Sequence, residues 1–232
     1  EQSFDLVIID EAAQALEASC WIPILKGKRI VLAGDHKQLA PTIKSRDPQV
    51  QKMLGRTLFE RLMTKHAQIS RMLQIQYRMH QSIADWASHA MYGGRLMSHD
   101  SVKSRKLCHL PYVSIQGGES GNEGEDDETS ILSTTQNASL LLIDTAGCDM
   151  FESSNAAGSR YNEGEADIVA KHVHNLISIG MKPEDIAVIT PYNGQVEILR
   201  RMLLKDYQKL EIRSVDGFQG GEREVVVLSL VR

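Results

Sequence analysis

The sequence predicts an α/β fold built on parallel sheet. Short apolar runs rich in β-branched residues, such as residues 5–9 and 186–190, indicate buried strands of a parallel sheet. Segments with helical spacing of apolar residues lie between these runs, and this alternation implies parallel strands joined by right-handed crossovers. Acidic residues directly follow the first strand, at the edge where open α/β sheets bind ligands.

The individual elements are predicted from hydrophobic periodicity. Before residue 69 the pattern predicts, in order, a strand at 5–9, a helix at 12–24, a strand at 30–33 and a helix at 57–65. After residue 69 it predicts a strand at 71–75, a helix at 82–91, a strand at 140–144, a helix at 163–179, a strand at 186–190, a helix at 194–204, and strands at 212–215 and 225–231. Gly93 and Gly180 follow two of these helices, as expected of C-terminal caps.

Composition is that of an ordinary soluble globular protein. The 232 residues are 42% hydrophobic and 24% charged, enough for one large or two small domains. No apolar stretch approaches the roughly 20 residues of a membrane span, so no membrane partner is expected. The three cysteines lack the spacing of a disulfide framework or a zinc site. We therefore expect an intracellular, reducing compartment, the nucleus or the cytoplasm.

Part of the net charge of −4 comes from one acidic segment. Residues 116–137 contain six Asp and Glu side chains and no Lys or Arg, among many Gly, Ser, Thr and Asn residues. This composition cannot bury enough apolar surface to fold, so we expect a disordered acidic insertion. The alternative interpretation is that this acidic segment binds a basic partner.

Two motifs at strand ends favour nucleotide hydrolysis. Asp10 and Glu11 follow the first strand, and the second strand leads through Gly34 and Asp35 to Gln38. In P-loop NTPases an acid at this position holds Mg²⁺, and a neighbouring acid or Gln orients the attacking water. One Asp-Glu pair alone could equally be a helix N-cap or a solvated loop. The second motif, in the expected order, favours hydrolysis.

Five motifs occur in order along the chain. They are Asp10-Glu11-Ala12-Ala13, Gly34-Asp35-His36-Lys37-Gln38-Leu39, Gln76-Tyr77-Arg78-Met79-His80, Thr190-Pro191-Tyr192 and Val215-Asp216-Gly217-Phe218-Gln219-Gly220-Gly221-Glu222. This series resembles the superfamily 1 helicases of the nonsense-decay-helicase type. Within that group, residues 10–25 and 141–148 are most similar to the immunoglobulin-mu-binding and DNA polymerase alpha-associated helicases. The similarity covers nearly the whole chain except the acidic segment.

The resemblance implies tandem RecA-like parallel-sheet lobes of the P-loop NTPase type, the first of them incomplete. Residues 1–68 would be the C-terminal part of the first lobe, and residues 69–232 the second lobe, truncated at its end. In this family ATP lies between the lobes and single-stranded nucleic acid crosses their tops. The implied ligands are Mg²⁺, ATP and single-stranded or partly duplex RNA or DNA. Replication- or ribosome-associated proteins are further candidate partners.

The resemblance also implies roles at the ATP site. Asp10 would bind Mg²⁺, Glu11 would polarise the attacking water, and Gln38 would contact the γ-phosphate. Arg78 would be an arginine finger, and Tyr77 would lie near the base. Taken alone, however, Arg78 is more readily a structural salt-bridge partner, and a tyrosine after a strand, such as Tyr77, is often a packed aromatic.

The later motifs would serve both nucleotide and nucleic acid. By resemblance, Gly220 and Glu222 would help to close the site on ribose and phosphate. Thr190, Asp216 and Gln219 fall in stretches that, in this family, touch the nucleic-acid backbone or couple it to the ATP site. The larger aromatic side chains have a simpler interpretation, and we expect a core position for three of them: Trp21, Trp86 and Phe218.

The sequence departs from the family pattern at three points. No Gly-x-x-x-x-Gly-Lys-Ser/Thr sequence occurs, so the phosphate-binding loop would lie upstream of Glu1. The final arginine motif would lie beyond Arg232, and Gly221 stands where the family usually has arginine. We therefore expect part of an ATP-dependent helicase, moving 5′ to 3′ when complete and inactive as this fragment. The alternative is a non-catalytic nucleic-acid-binding or scaffold remnant without the phosphate loop.

Overall fold

The computed structural model describes residues 3–114 and 137–231, and the chain divides into two compact units, Glu1–Leu73 and Gln74–Arg232. Helices and small, mainly parallel sheets make up both units, which confirms the predicted α/β class. Apart from its last position, the predicted acidic insertion at 116–137 lies outside the described residues. Among the described residues, no helix has the length and apolar character needed to span a bilayer.

The first unit is built on two parallel strands. Strand β1 (Val7–Ile9) pairs with β2 (Ile30–Leu32), with Val7 opposite Ile30. Its helices are α1 (Glu17–Ile24), α2 (Pro48–Leu54) and α3 (Leu58–Lys65). Helix α2 is not among the predicted elements, although a start signal is present. The side chain of Asp47 accepts the N–H of Gln49 at 2.8 Å, and Pro48 takes the first helical position.

A partly buried ion pair joins α1 to α3. Nε of Arg61 donates to Oε2 of Glu17 at 3.1 Å, and Nη2 of Arg61 donates to Oε1. These hydrogen bonds hold the pKa of Glu17 below its ordinary value. The indole N–H of Trp21 donates to the same carboxylate at 3.2 Å, which keeps this ring at the surface. Trp21 is 42% exposed and Trp86 70% exposed, so the predicted core positions of both are wrong.

Within residues 74–114 and 137–231, the second unit contains three small sheets. In chain order its elements are β3 (Ile75–Gln76), α4 (Gln81–Tyr92), β4 (Met97–Ser98), β5 (Ser153–Ser154), β6 (Arg160–Tyr161), α5 (Glu163–Ser178), β7 (Ile186–Thr190), α6 (Asn193–Leu203), β8 (Glu211–Ser214) and β9 (Val225–Leu228). Strands β3 and β4 are parallel, and β5 and β6 form an antiparallel pair. The third sheet has the order β8-β7-β9, with both outer strands parallel to β7.

The core of the second unit surrounds β7. All five residues of β7 are buried, as expected for the central strand of a parallel sheet. Helices α5 and α6 share one apolar cluster with this sheet, which includes Val173, Leu176, Ile186, Val188, Leu199, Leu203 and Ile212. Gly180 ends α5 with φ of +108°, and a Cβ at this position would lie 2.2 Å from the carbonyl oxygen of Tyr112. Only glycine meets both requirements.

The predicted strand at 140–144 is wrong. This run has no strand partner among the described residues, and Leu140 and Leu142 are 68% and 84% exposed. An apolar run becomes a strand only where a neighbouring edge offers backbone hydrogen bonds. The predicted strand at 71–75 is likewise reduced to its last residue and Gln76, because only these pair with β4.

Most other predicted boundaries shift by one or two residues, and two shift further. Helix α1 begins at Glu17 rather than residue 12, and the N–H of Ala12 instead donates to the carbonyl of Ala33 at 2.8 Å. Strand β9 ends at Leu228 rather than 231, because its pairing with β7 ends there.

Candidate functional site

Two carboxylates stand at the carboxyl end of β1 in the first unit. Oδ1 of Asp10 accepts the backbone N–H of Glu11 at 3.0 Å, and Oε2 of Glu11 accepts a hydrogen bond from Nε2 of Gln14 at 2.9 Å. Glu11 has φ of +50°, an uncommon conformation for a residue other than glycine. Backbone strain of this kind clusters at functional sites. Both carboxylates are exposed, and neither has a cationic partner within the described ranges.

This donor set fits Mg²⁺ with help from a nucleotide. Proteins usually hold Mg²⁺ by one or two carboxylates together with waters and substrate phosphates. Asp10 and Glu11 supply that number of carboxylates. In the part of the chain that the structure describes, no group of three or more His, Cys, Asp or Glu side chains could form a complete protein cage. Phosphate oxygens and water would therefore provide the other ligands.

The loop after β2 is held by Asp35. Oδ1 of Asp35 accepts the backbone N–H of Lys37 at 2.9 Å, and Oδ2 accepts a hydrogen bond from Nε2 of Gln38 at 2.9 Å. One carboxylate therefore fixes both the loop and the side chain that the resemblance assigns to the γ-phosphate.

The two loops of the first unit meet through their backbones. The N–H of Ala33 donates to the carbonyl of Ile9 at 2.9 Å, and the N–H of Ala12 donates to the carbonyl of Ala33 at 2.8 Å. A Cβ on Gly34 would lie 2.9 Å from the nitrogen of Ala13 and 3.1 Å from that of Ala12. Glycine permits this close approach, which brings the Asp10–Glu11 segment beside the loop of Gln38.

In the second unit, the turn after β3 is organised by a glutamine without a predicted role. Oε1 of Gln76 accepts the backbone N–H groups of Arg78 and Met79, each at 2.7 Å. Nε2 of Gln76 donates to the carbonyl of Met79 at 2.7 Å and to Oγ of Ser98 at 2.5 Å. Gln76 stands within a recognised motif, but sequence alone does not indicate which groups its amide binds.

Arg78 reaches the loop before β9. Nε of Arg78 donates to Oε2 of Glu222 at 2.7 Å. Both side chains are exposed, so this cation stands at the surface of the second unit with a carboxylate as its partner. The structure thus brings together two of the predicted site residues that are remote in sequence.

Tyr77 stacks on a histidine. The ring centroids of Tyr77 and His99 are 4.4 Å apart with an interplanar angle of 29°. The His99 ring is held in turn, because its Nδ1 accepts the N–H of Ser101 at 3.2 Å and lies 2.9 Å from Oγ of Ser101. Tyr77 remains 63% exposed, which leaves it available to a ligand. His99 was not predicted, and no local pattern marks it.

The loop between β8 and β9 carries the other predicted residues. The side chains of Asp216, Gln219 and Glu222 are exposed, and Gly220 has φ of +77°. Arg223 anchors this loop, since its guanidinium lies 2.5 Å from Oε2 of Glu211 and donates to the carbonyl of Glu222 at 2.6 Å.

Thr190 differs from the other candidates in its burial. It is the last residue of β7, its side chain is fully buried, and its Oγ1 accepts the N–H of Tyr192 at 3.4 Å. A buried hydroxyl can shape the following loop but cannot touch a ligand at the surface.

Comparison with known proteins identifies the family. AAA-domain family models match residues 54–232 and residues 1–46. The chain is 49% identical over 234 residues to the DNA-binding protein SMUBP-2 of Rattus norvegicus, covering 100% of this chain and 22% of that protein. It is 43% identical over 244 residues to the DNA polymerase alpha-associated DNA helicase A of Saccharomyces cerevisiae, covering 100% of this chain and 34% of that protein.

A more distant relative belongs to the nonsense-decay group. The chain is 32% identical over 237 residues to the regulator of nonsense transcripts 1 of Dictyostelium discoideum, covering 99% of this chain and 16% of that protein. The chain thus spans between 16% and 34% of the length of these three relatives. The matches confirm the resemblance predicted from the motifs. The chain belongs to the AAA-domain family, among the superfamily 1 helicases related to SMUBP-2, the DNA polymerase alpha-associated helicases and the regulator of nonsense transcripts 1.

Proposed function

We propose that this chain is part of an ATP-dependent helicase that couples ATP hydrolysis to 5′ to 3′ translocation on RNA or DNA and to its unwinding. The two units would be the end of the first RecA-like lobe and most of the second lobe. Mg-ATP would be the substrate that is hydrolysed. Two of the relatives named above are called helicases or DNA-binding proteins, and this supports the assignment.

One observation carries the proposal: nearly all of the candidate residues follow the carboxyl ends of parallel strands. Asp10 and Glu11 follow β1, Gln38 lies in the loop after β2, and Arg78 lies in the turn after β3. Thr190 ends β7, and Asp216 and Gln219 follow β8. Parallel α/β sheets bind ligands at this edge.

The roles follow from the chemistry of phosphoryl transfer. This reaction needs a metal carboxylate, a group that orients water, and a cation for the charge of the transition state. Asp10 would hold the metal, Glu11 would orient the attacking water, and Arg78 would supply the cation. Gln38 would sense the γ-phosphate from the loop after β2, where Asp35 accepts a hydrogen bond from its amide.

The remaining residues would serve base, ribose and nucleic acid. The exposed Tyr77 ring would lie against the base. Glu222 and Gly220 would approach ribose and phosphate, and Asp216 and Gln219 would contact the nucleic-acid backbone. Thr190 would act by coupling, because it is buried.

A non-catalytic nucleic-acid-binding or scaffold protein is the second candidate function. The observation in its favour is that these 232 residues contain no Gly-x-x-x-x-Gly-Lys-Ser/Thr sequence to cradle the phosphates. We therefore expect the isolated chain to hydrolyse ATP negligibly, in contrast to the complete protein.

Steady-state phosphate release from the complete protein, with and without single-stranded RNA or DNA, separates the two functions. Stimulated hydrolysis together with unwinding of a duplex bearing a 5′ overhang supports the helicase. Nucleic-acid binding without hydrolysis supports the scaffold. Unwinding that requires a 3′ overhang would contradict the proposed direction alone.

A further inference from the structure

Gln76 uses the full hydrogen-bonding capacity of its side chain on one turn. A glutamine amide has two acceptor positions and two donor hydrogens. Oε1 accepts the N–H groups of Arg78 and Met79, and Nε2 donates to the carbonyl of Met79 and to Oγ of Ser98. Since Ser98 belongs to β4, the amide also ties the turn to the neighbouring strand.

We propose that Gln76 is the positioning residue for Arg78, and this inference rests on the proposed role of Arg78 in ATP hydrolysis. An arginine finger contributes only when its guanidinium meets the transferred phosphoryl group in the right geometry. Gln76 fixes the backbone from which the Arg78 side chain projects, because it holds the N–H of Arg78 itself and both polar backbone groups of Met79.

The contact to Glu222 cannot replace this support. It holds the far end of the Arg78 side chain, but the two side chains are 56% and 66% exposed. An exposed ion pair is weak and readily exchanges with water. Of the four bonds of Gln76, the one to the N–H of Arg78 is exposed and the other three are part-buried. Three of the four act on the backbone of Arg78 and Met79, so they persist when the Arg78 side chain moves to a phosphate.

The side-chain type at position 76 is also specific. Glutamate has the same shape and keeps two acceptors, but it offers no donor to the Met79 carbonyl. Methionine has a similar length and neither donor nor acceptor strength. The series Gln76→Glu and Gln76→Met therefore removes first the donors and then all four hydrogen bonds. Gln74→Met is a matched control, because Gln74 is exposed and its side chain makes no hydrogen bond within the described ranges.

The test uses the complete protein and steady-state ATP hydrolysis with a saturating single-stranded oligonucleotide. We expect Gln76→Met to lower kcat on the order of 10²-fold with little change in KM for ATP, because geometry rather than binding is lost. Gln76→Glu should fall between wild type and Gln76→Met, and Gln74→Met should match wild type. In an Arg78→Ala background, Gln76→Met should cause no further loss, since both changes remove the same contribution.

Hydrogen exchange provides a readout that is independent of hydrolysis. The amides of Arg78 and Met79 should exchange faster in Gln76→Met than in wild type, and unchanged exchange would overturn the inference.

A wild-type kcat in Gln76→Met beside a defective Arg78→Ala overturns the role of Gln76 alone. A loss that persists in the Arg78→Ala background also overturns it, because Gln76 would then act elsewhere. A wild-type kcat in Arg78→Ala overturns the proposed finger, and the positioning role with it. Gln76→Glu serves the same comparisons where Gln76→Met fails to fold.

Discussion

Nε of Arg78 donates to Oε2 of Glu222 at 2.7 Å and joins two motifs that are 144 positions apart in the sequence. The contact links the turn after β3 to the loop before β9. Water screens exposed ion pairs of this kind, so the pair adds little to the stability of the fold. Its main effect is to fix the position of the Arg78 guanidinium.

Replacing Glu222 by Gln removes the charge of this pair and keeps the shape. We expect Glu222→Gln to change the free energy of unfolding by less than about 1 kcal/mol, as measured by denaturant titration. KM for ATP should rise in the complete protein, because the proposed contact of Glu222 with ribose is weakened. A loss of stability well above this limit would mean that the pair is structural.

Arg78→Lys tests whether the guanidinium shape matters. Lysine keeps the charge but loses the planar fork that can bind two oxygens at once. We expect the variant to lose most of the roughly 10³–10⁵-fold rate contribution of an arginine finger. Phosphate release from the complete protein is the measurement, and Arg95→Lys, an exposed arginine of the same unit, is the control. Full activity in Arg78→Lys would argue against the finger.

Glu11→Gln should separate hydrolysis from binding. The amide cannot polarise water as a carboxylate does, whereas the neighbouring Asp10 is left to hold the metal. We expect hydrolysis to be abolished in the complete protein, with the affinity for a fluorescent ATP analogue retained. Glu60→Gln removes an exposed carboxylate of the same unit and should behave as wild type. Retained hydrolysis in Glu11→Gln would count against the assigned chemistry.

The buried side-chain amide of Gln195, on α6, should contribute strongly to the free energy of unfolding. Gln195 is fully buried, accepts the N–H of Asn162 at 2.9 Å, and donates to the carbonyl of Asn162 at 3.2 Å and to Oγ of Ser229 at 3.0 Å. Gln195→Ala leaves these groups unsatisfied and opens a cavity, so we expect a loss of about 2–4 kcal/mol in the free energy of unfolding. Denaturant unfolding measures it, and the exposed Gln208→Ala should change stability by less than about 0.5 kcal/mol.

High pH should destabilise the second unit through Tyr112. Burial, and then the hydrogen bond that its hydroxyl donates to Oδ2 of Asp185 at 2.9 Å, raise the pKa of Tyr112 from 10.0 to about 12. The folded state therefore keeps this proton at a pH where the unfolded chain has lost it. The contribution is fully present below pH 10 and is lost as pH rises from 10 to about 12.

Thermal unfolding across this pH range checks the sign. The Tm of Tyr112→Phe should fall less steeply between pH 10 and 12 than that of wild type, because the variant has no proton to lose at this position. Parallel curves for the two proteins would contradict the assigned linkage.

The sequence predicts a strand well where an apolar run of strand length is also rich in β-branched residues. Residues 186–190 form an unbroken apolar run of strand length, and the strand has these bounds. The helix predicted at 163–179 is α5, whose start is fixed by Oδ1 of Asn162 accepting the N–H of Glu165 at 3.0 Å. Residues 140–144 form an apolar run of the same length, but leucine rather than β-branched residues dominates it. Their apolar run lacks a neighbouring edge, and the sequence does not contain that information.

The candidate site divides in the same way. Arg78 and Glu222 can be found from their motifs, because residue type and order along the chain are enough. Their contact with each other, the four hydrogen bonds of Gln76 and the stacking of His99 on Tyr77 arise only after folding. No periodicity links positions so far apart, so these relationships had to come from the structure.

The small residues Ala12, Ala13 and Gly34, which lie beside the carboxylates, limit which substitutions this protein can accept. The nitrogens of Ala12 and Ala13 would both lie within 3.1 Å of a Cβ on Gly34, and Ala12 and Ala13 are themselves buried. The clearance between the strip of chain that bears Glu11 and the one that bears Gln38 is therefore set by main chain against main chain. A single added methyl group at Gly34 would therefore push the segment of Glu11 away from the loop of Gln38, although glycine itself has no side chain to offer a ligand.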